Sequence, residues 1–280
     1  MPRGRSSIQK EGLEILLAKL TAGKSKHTAS KEEKANCVFS YSTFRSYAKH
    51  AISFLKWAHR VYGCKTVAKA RPYVNEWLVV ENANQSRWTV KLRASALAKL
   101  YDCSTKDFAP TGSRHRQDIM RSRGPAVRDK HFSAVRNADF INFCRATGLR
   151  RHEIHQVTVS SLVHIDGVAC LHVKGKGGRW RDAPIIGPHT DGVIAQVQAA
   201  GDDPVWPRIP VNADIHGYRR DYAKAIYAMH ARDITALSRS ERYDCRGDLA
   251  GVCYDRVAML IASRALGHNR ISVIAGHYIV

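Results

Sequence analysis

The amino-acid sequence predicts a mainly α-helical protein with a small antiparallel β-sheet, an α+β chain in two domains. Three observations carry this reading. Residues 41–62, YSTFRSYAKHAISFLKWAHRVY, place Phe44, Tyr47, Ala48, Ala51, Phe54, Leu55 and Ala58 at three- and four-residue steps, the spacing of a long amphipathic helix. Residues 160–187, SSLVHIDGVACLHVKGKGGRWRDAPIIG, read as short strands separated by tight turns at Asp166-Gly167 and at Gly175 to Gly178. Between the halves, KDFAPTGSRHRQDIMRSRGPAVRDKHFS is rich in Arg and Lys and broken by Pro and Gly, which places a domain boundary near 110–128.

The remaining elements follow in order. Ile8, Leu13, Leu16, Leu17 and Leu20 have helical spacing, and TAGKSKHTASKEEKAN after them reads as a loop or linker. After the long helix, RPYVNEWLVVEN predicts a shorter one with Pro72 in its first turn. SRWTVKLRASALAKLY predicts another, N-capped by Ser86. On that helix Trp88, Leu92 and Leu100 form one stripe, and Arg87, Lys91 and Lys99 form a basic one suited to a phosphate backbone. The expected organisation is a basic leader with a short helix over 1–38 and a helical domain over 39–115. A basic linker over 116–128, containing Arg121 and Arg123, then leads to a second domain over 129–280. In that domain DFINFCRATGLRRHEIHQVTV predicts helix, turn and helix with Thr147-Gly148 at the turn, and the chain from Asp214 onward reads as helices.

The charge balance narrows the function. There are 45 Lys+Arg against 24 Asp+Glu, a formal charge of +21 with histidines neutral, so a polyanion is the expected partner. Nucleic acid comes first and an anionic membrane surface second. No apolar run reaches the roughly 18 residues of a transmembrane helix, and charges interrupt the N-terminal segment where a secretory signal would need a continuous apolar core. The seven cysteines contain no CxxC pair, which argues against a zinc ribbon or a redox motif, although Cys245 and Cys253 could join a histidine on a metal. Reduced, structural thiols are the reading adopted.

Four stretches carry unusual groups. In ATGLRRHEIHQV, Arg150 stands where a tight turn enters a helix, able to fork two oxygens of a phosphate, with Glu153 in the same first turn. In VKGKGGRWRDAPI, Lys176 occupies the tip of a predicted hairpin, where it could reach a phosphate or protonate a leaving oxygen. In NADIHGYRRDYAKAIY, His216 and Arg219 are three apart at the start of a helix that Asp214 or Asn212 could cap. His216 could act as a base near neutral pH. Finally, LGHNRISVIAGHYIV carries His268 and, ten positions on, Tyr278, a phenol that needs nearby cations or a base to become a nucleophile. Taken singly each has an ordinary explanation: a surface arginine, a turn lysine, a satisfied histidine, a terminal tyrosine.

Taken in order, TGLR with Glu153, GKGG, HGYR, LGHNRI and the late tyrosine resemble the catalytic domain of the tyrosine recombinase (phage integrase) family. The resemblance is detailed over about 128–280, and the preceding helices resemble that family's core-binding domain more loosely. It implies a site-specific DNA recombinase, the integrase of a phage or conjugative element, and assigns roles residue by residue. Arg150 and Arg219 neutralise the scissile phosphate, and His268 donates a hydrogen bond to it. Lys176 is the general acid for the leaving 5′-hydroxyl, and His216 is a base or proton relay. Tyr278 is the nucleophile that forms a 3′-phosphotyrosine.

The resemblance further implies no metal or nucleotide cofactor, a homotetramer on two DNA duplexes clamped by both domains, accessory DNA-bending proteins, and a cytoplasmic, nucleoid-associated location with no membrane partner. Two features depart from the common pattern. The interval from His268 to Tyr278 is one residue longer than in some members, and only Ile279 and Val280 follow the tyrosine where members often carry a tail. His277 is not assigned as the base, because adjacent side chains on a helix point apart. The competing readings are a type IB topoisomerase-like enzyme and a catalytically silent DNA-binding protein.

Overall fold

The structure is a computed structural model that describes residues 7–26, 28–80, 83–115, 132–175, 178–268 and 270–279. It divides into two compact units, Met1–Met120 and Arg121–Val280. The basic linker expected at 116–128, with Arg121 and Arg123, lies outside the described residues.

In its described residues the first unit is helical: α1 Ile8–Ala18, α2 Lys31–Asn36, α3 Tyr41–Tyr62, α4 Val67–Ala70, a 3-10 turn Arg71–Tyr73 holding Pro72, α5 Val74–Val79 and α6 Arg87–Leu100. Helix α3 spans the periodic segment read from the sequence. Ser40 caps its start, and Gly63, in the left-handed region at φ 65°, ends it. Leu16, Phe54, Leu55, Val67, Trp77 and Leu97 share one core, which packs α1 against the helices that follow it.

Two details differ from expectation. The stretch read as a loop contains α2, which buries no residue and is held by a capping box: Glu33 N–H donates to the Ser30 hydroxyl at 3.0 Å, and Ser30 N–H donates to the Glu33 carboxylate at 2.9 Å. Helix α6 buries Val90, Ala94, Leu97 and Leu100, whereas Leu92 is exposed and Trp88 is only half-buried.

The second unit contains α7 Ala138–Thr147, α8 Arg151–Ile154, β1 Leu162–Ile165, β2 Val168–Lys174, β3 Trp180–Pro184, α9 Thr190–Ala200, α10 Ile215–His230, β4 Arg242–Asp244, β5 Cys253–Asp255, α11 Arg256–Ala265 and α12 Ile271–His277. Strands β1, β2 and β3 form an antiparallel meander. The Asp166-Gly167 turn has φ of 50° and 77°, the paired positive values of a two-residue hairpin turn matched to sheet twist. One core gathers Phe140, Phe143, Leu149, Ile154, Leu171 and Val173 around the sheet; a second gathers Tyr222, Ile226, Met259, Leu266 and Ile274 between the last helices.

The short β4–β5 ribbon interrupts what reads as helices. Buried Asp255 anchors it by capping α11, with Val257 N–H donating at 2.8 Å, and by accepting from Arg232 Nε at 2.8 Å. The Arg232 hydrogen bonds hold that carboxylate well below its usual range. Among the described residues no helix is long and apolar enough to cross a membrane.

Gly148, between α7 and α8, has φ 58°, and a Cβ there would sit 2.2 Å from the Tyr222 ring. Gly148→Ala therefore combines left-handed backbone strain with overpacking. We expect it to lower unfolding free energy by about 2–4 kcal/mol in urea denaturation.

Candidate active site

A helix end leaves its last carbonyls without intrahelical partners. At the end of α11 those carbonyls face arginines: Ala265 C=O accepts from Arg181 Nη1, and Leu266 C=O accepts from Arg150 Nη2 at 3.3 Å and from Arg219 Nη2. Gly267 follows at φ 67°, and a Cβ on it would lie 2.5 Å from Arg181 Cδ, so the Leu-Gly-His turn needs glycine to let the guanidinium pass. Ser263 clamps the turn from both sides, accepting from His268 N–H at 2.8 Å and donating to His268 C=O at 3.0 Å.

Glu153 organises the arginines. It lies at the third position of α8, and its fully buried carboxylate accepts from the Arg150 N–H at 2.7 Å, from Arg150 Nη1 at 2.7 Å and from Arg181 Nη2 at 2.8 Å. Arg219 Nη1 stands 4.0 Å away. Burial opposes ionisation of this carboxyl, but the charge of Arg181 and the Arg150 hydrogen bonds outweigh it and bring the pKa down to about 2. Its contribution to stability is thus fully present above the ordinary carboxylate pKa and is lost progressively as pH falls from there through about 2. Glu153→Gln leaves three guanidiniums without their counter-charge. We expect a loss of about 3–5 kcal/mol in urea denaturation at neutral pH, as for a broken buried ion pair.

Arg219 projects from α10, whose N-cap Asp214 accepts from Gly217 N–H at 2.9 Å. It is 1% exposed, and each of its three nitrogens makes a hydrogen bond. Nη1 donates to Gly148 C=O, Nη2 to Leu266 C=O, and Nε to Tyr278 Oη at 3.3 Å. Burial, then the charge of Arg150, lowers its pKa to about 10, so it stays cationic at neutral pH. Three arginines around one carboxylate leave a net positive charge beside poorly solvated backbone, an environment that attracts an anion.

Tyr278 closes α12, its N–H donating to Ile274 C=O at 3.0 Å. Its hydroxyl lies 3.2 Å from His268 Nε2, and its ring packs 5.8 Å from the Arg219 guanidinium carbon. Burial and then the charges of Arg219, Arg150 and Arg181 push the His268 pKa down to about 4. The ring is neutral at pH 7. The folded value lies below the unfolded one, so this group costs stability as pH falls from about 6.5 to about 4. An NMR titration of His268 is expected to show a midpoint near 4 that moves toward 6.5 in Arg219→Ala.

The structure therefore brings Arg150, Glu153, Arg219, His268 and Tyr278 into one connected set. Lys176 lies outside the described residues. A Cβ built on the preceding Gly175 would be 3.2 Å from Glu153 Oε1 and 3.8 Å from Arg150 Nη1, so this end of the hairpin abuts the cluster. His216 is exposed in the first turn of α10, three residues before buried Arg219.

Of the candidate DNA-contacting residues in the first unit, Arg87 is exposed with its guanidinium near Gly112, and Lys91 is half-buried. Lys99 donates to Lys34 C=O at 3.0 Å and to Ala35 C=O, so it caps the end of α2. Arg181 is the functional residue that the sequence reading missed. It shares the face of buried Ala183, two residues on along β3, which signals an inward-facing charge once the strand register is known. All seven cysteines are free, and no cluster of three metal-ligating side chains occurs among the described residues.

Solved structures similar to this chain include two recombinase complexes. One is the XerH site-specific recombinase bound to palindromic difH substrate in a post-cleavage complex, with 14% identity and a TM-score of 0.58, covering 98% of this chain and 94% of that one. The other is XerH bound to difH substrate in a pre-cleavage complex, with 15% identity and a TM-score of 0.56 over the same shares of both chains. The fold is that of the tyrosine site-specific recombinases. No protein-family model and no curated protein sequence matches the chain.

Proposed function

We propose that this chain is a site-specific DNA recombinase that cuts and rejoins strands through a 3′-phosphotyrosine intermediate. The observation that carries the reading is the position of Tyr278 Oη, within hydrogen-bond reach of both Arg219 Nε and His268 Nε2 beside an arginine cluster whose charge calls for an anion. In this reading Arg150 and Arg219 take the non-bridging oxygens of the scissile phosphate, where negative charge grows in the transition state. Neutral His268 donates a hydrogen bond to the same group. Tyr278 rests against Arg219, so in this reading phosphate binding displaces the phenol from its hydrogen bond to Arg219 Nε.

The Tyr278 oxygen then bonds to phosphorus and the bond to the 5′-oxygen breaks. The phenolic proton passes to His216, and Lys176 supplies the proton that the leaving 5′-oxygen takes up. A 5′-hydroxyl of the partner duplex reverses the step. One phosphate ester replaces another each time, so the chemistry balances without ATP or a metal. Glu153 and Arg181 act as positioning residues by fixing Arg150 and the end of α11.

The proposed partner is double-stranded DNA at recombination sites, contacted in part through Arg87, Lys91, Arg121 and Arg123. A homotetramer pairs two duplexes, accessory DNA-bending proteins assist, and the protein works in the cytoplasm at the nucleoid. The test is joining of two differently labelled duplexes bearing the ends of the protein's own element, in chelator and without nucleotide. Recombinant strands are expected. Relaxation of supercoils without joining would favour the topoisomerase-like activity. Salt-sensitive binding without either reaction would favour a silent DNA-binding protein.

A further inference from the structure

The β1–β3 sheet uses one face to send Arg181 toward Glu153. The opposite face carries Trp180, which is 59% exposed. Its ring is not loose. It stacks on His172 with centroids 4.7 Å apart and planes 5° from parallel, and His172 Nδ1 is held 2.6 Å from Asp182 Oδ1. The cross-strand pairs His172↔Asp182 and Lys174↔Trp180 place all four side chains on this face, with Lys174 Nζ 5.9 Å from the indole centroid. A carboxylate fixes an imidazole, the imidazole backs an indole, and the indole keeps more than half its surface in solvent beside an ammonium group. The arrangement stands at the rim of the arginine cluster, since Gly175 follows Lys174 and abuts Glu153 and Arg150.

A flat, pre-set aromatic surface next to a cation fits a ligand with a π-face and an adjoining negative charge. In paired duplex DNA, stacking on both sides covers each base. Only an unpaired base offers a free face, and strand transfer produces such bases when a cut strand leaves its complement. Resting on the DNA-cutting function above, we propose that Trp180, backed by His172 and Asp182 and assisted by Lys174, is a stacking site for an unpaired nucleobase beside the scissile phosphate.

The test is equilibrium binding in the Tyr278→Phe background, which removes covalent capture, using a fully paired duplex and the same duplex with a short unpaired flap. Stacking contacts of this kind are worth about fivefold or more in affinity per base. Trp180→Ala should weaken flap binding by at least that factor and paired-duplex binding by less than about twofold. Trp180→Phe keeps an aromatic face and should retain most of the flap preference. It should also lose the tryptophan-fluorescence quenching that flap DNA causes in the parent. Equal losses on both DNAs, or no loss with Trp180→Ala, would overturn the stacking site. The outcome is separate from the chemistry. Adduct formation by the Tyr278 protein without a Trp180-dependent flap preference overturns only the stacking site, and the preference without any adduct sustains it.

Discussion

Replacing Arg219 with alanine is expected to slow strand cleavage by about a thousandfold or more, measured in single-turnover reactions on saturating DNA. One preorganised donor aimed at developing charge is typically worth about 10²–10³ in rate. Arg219 supplies such donors and also shapes the site: its guanidinium joins Gly148 C=O before α8, Leu266 C=O after α11 and the Tyr278 hydroxyl. Arg219→Lys should recover less than about tenfold of the loss. An ammonium keeps the charge but cannot span three acceptors in a planar fork. Recovery to near the parent rate would mean that charge alone matters and that the fork geometry does not. Urea denaturation in parallel separates rate from folding, since the alanine variant also takes the side-chain donor from Gly148 C=O and leaves Leu266 C=O with Arg150 alone.

The parts legible in the sequence were those governed by local rules. Helix α3 is readable because its apolar period, its Ser40 cap and its Gly63 stop all agree. The Asp166-Gly167 turn is readable because its dipeptide chemistry selects one hairpin geometry. What escaped depends on partners distant in the chain. Helix α2 has no apolar stripe and is held by its cap. Strands β4 and β5 are three residues each and depend on Arg232 reaching Asp255.

The same division holds in the site. The spacing of His216 and Arg219 is visible in the sequence, but not that one is exposed and the other buried. Lys99 reads as part of a basic stripe until the end of α2 is seen beneath it. Arg181 escaped because a strand's inward face cannot be assigned before its register is known.

The most direct measurement of the central claim is covalent trapping of Tyr278. The protein is incubated with nicked duplexes carrying candidate recombination sites, and denaturing gels reveal any DNA-linked chain, with Tyr278→Phe alongside. Tyr278 Oη is the one group in the cluster able to form a phosphoester after attack, and Arg219 and His268 already hold it there. The substitution removes a single oxygen from a half-buried ring, so folding and salt-sensitive DNA binding should persist while the adduct disappears entirely. An adduct at the 3′-phosphate in the parent and none in Tyr278→Phe is the predicted result. An adduct that survives the substitution, or no adduct from a parent protein that binds and cuts the same DNA, would contradict the assignment of Tyr278 as nucleophile.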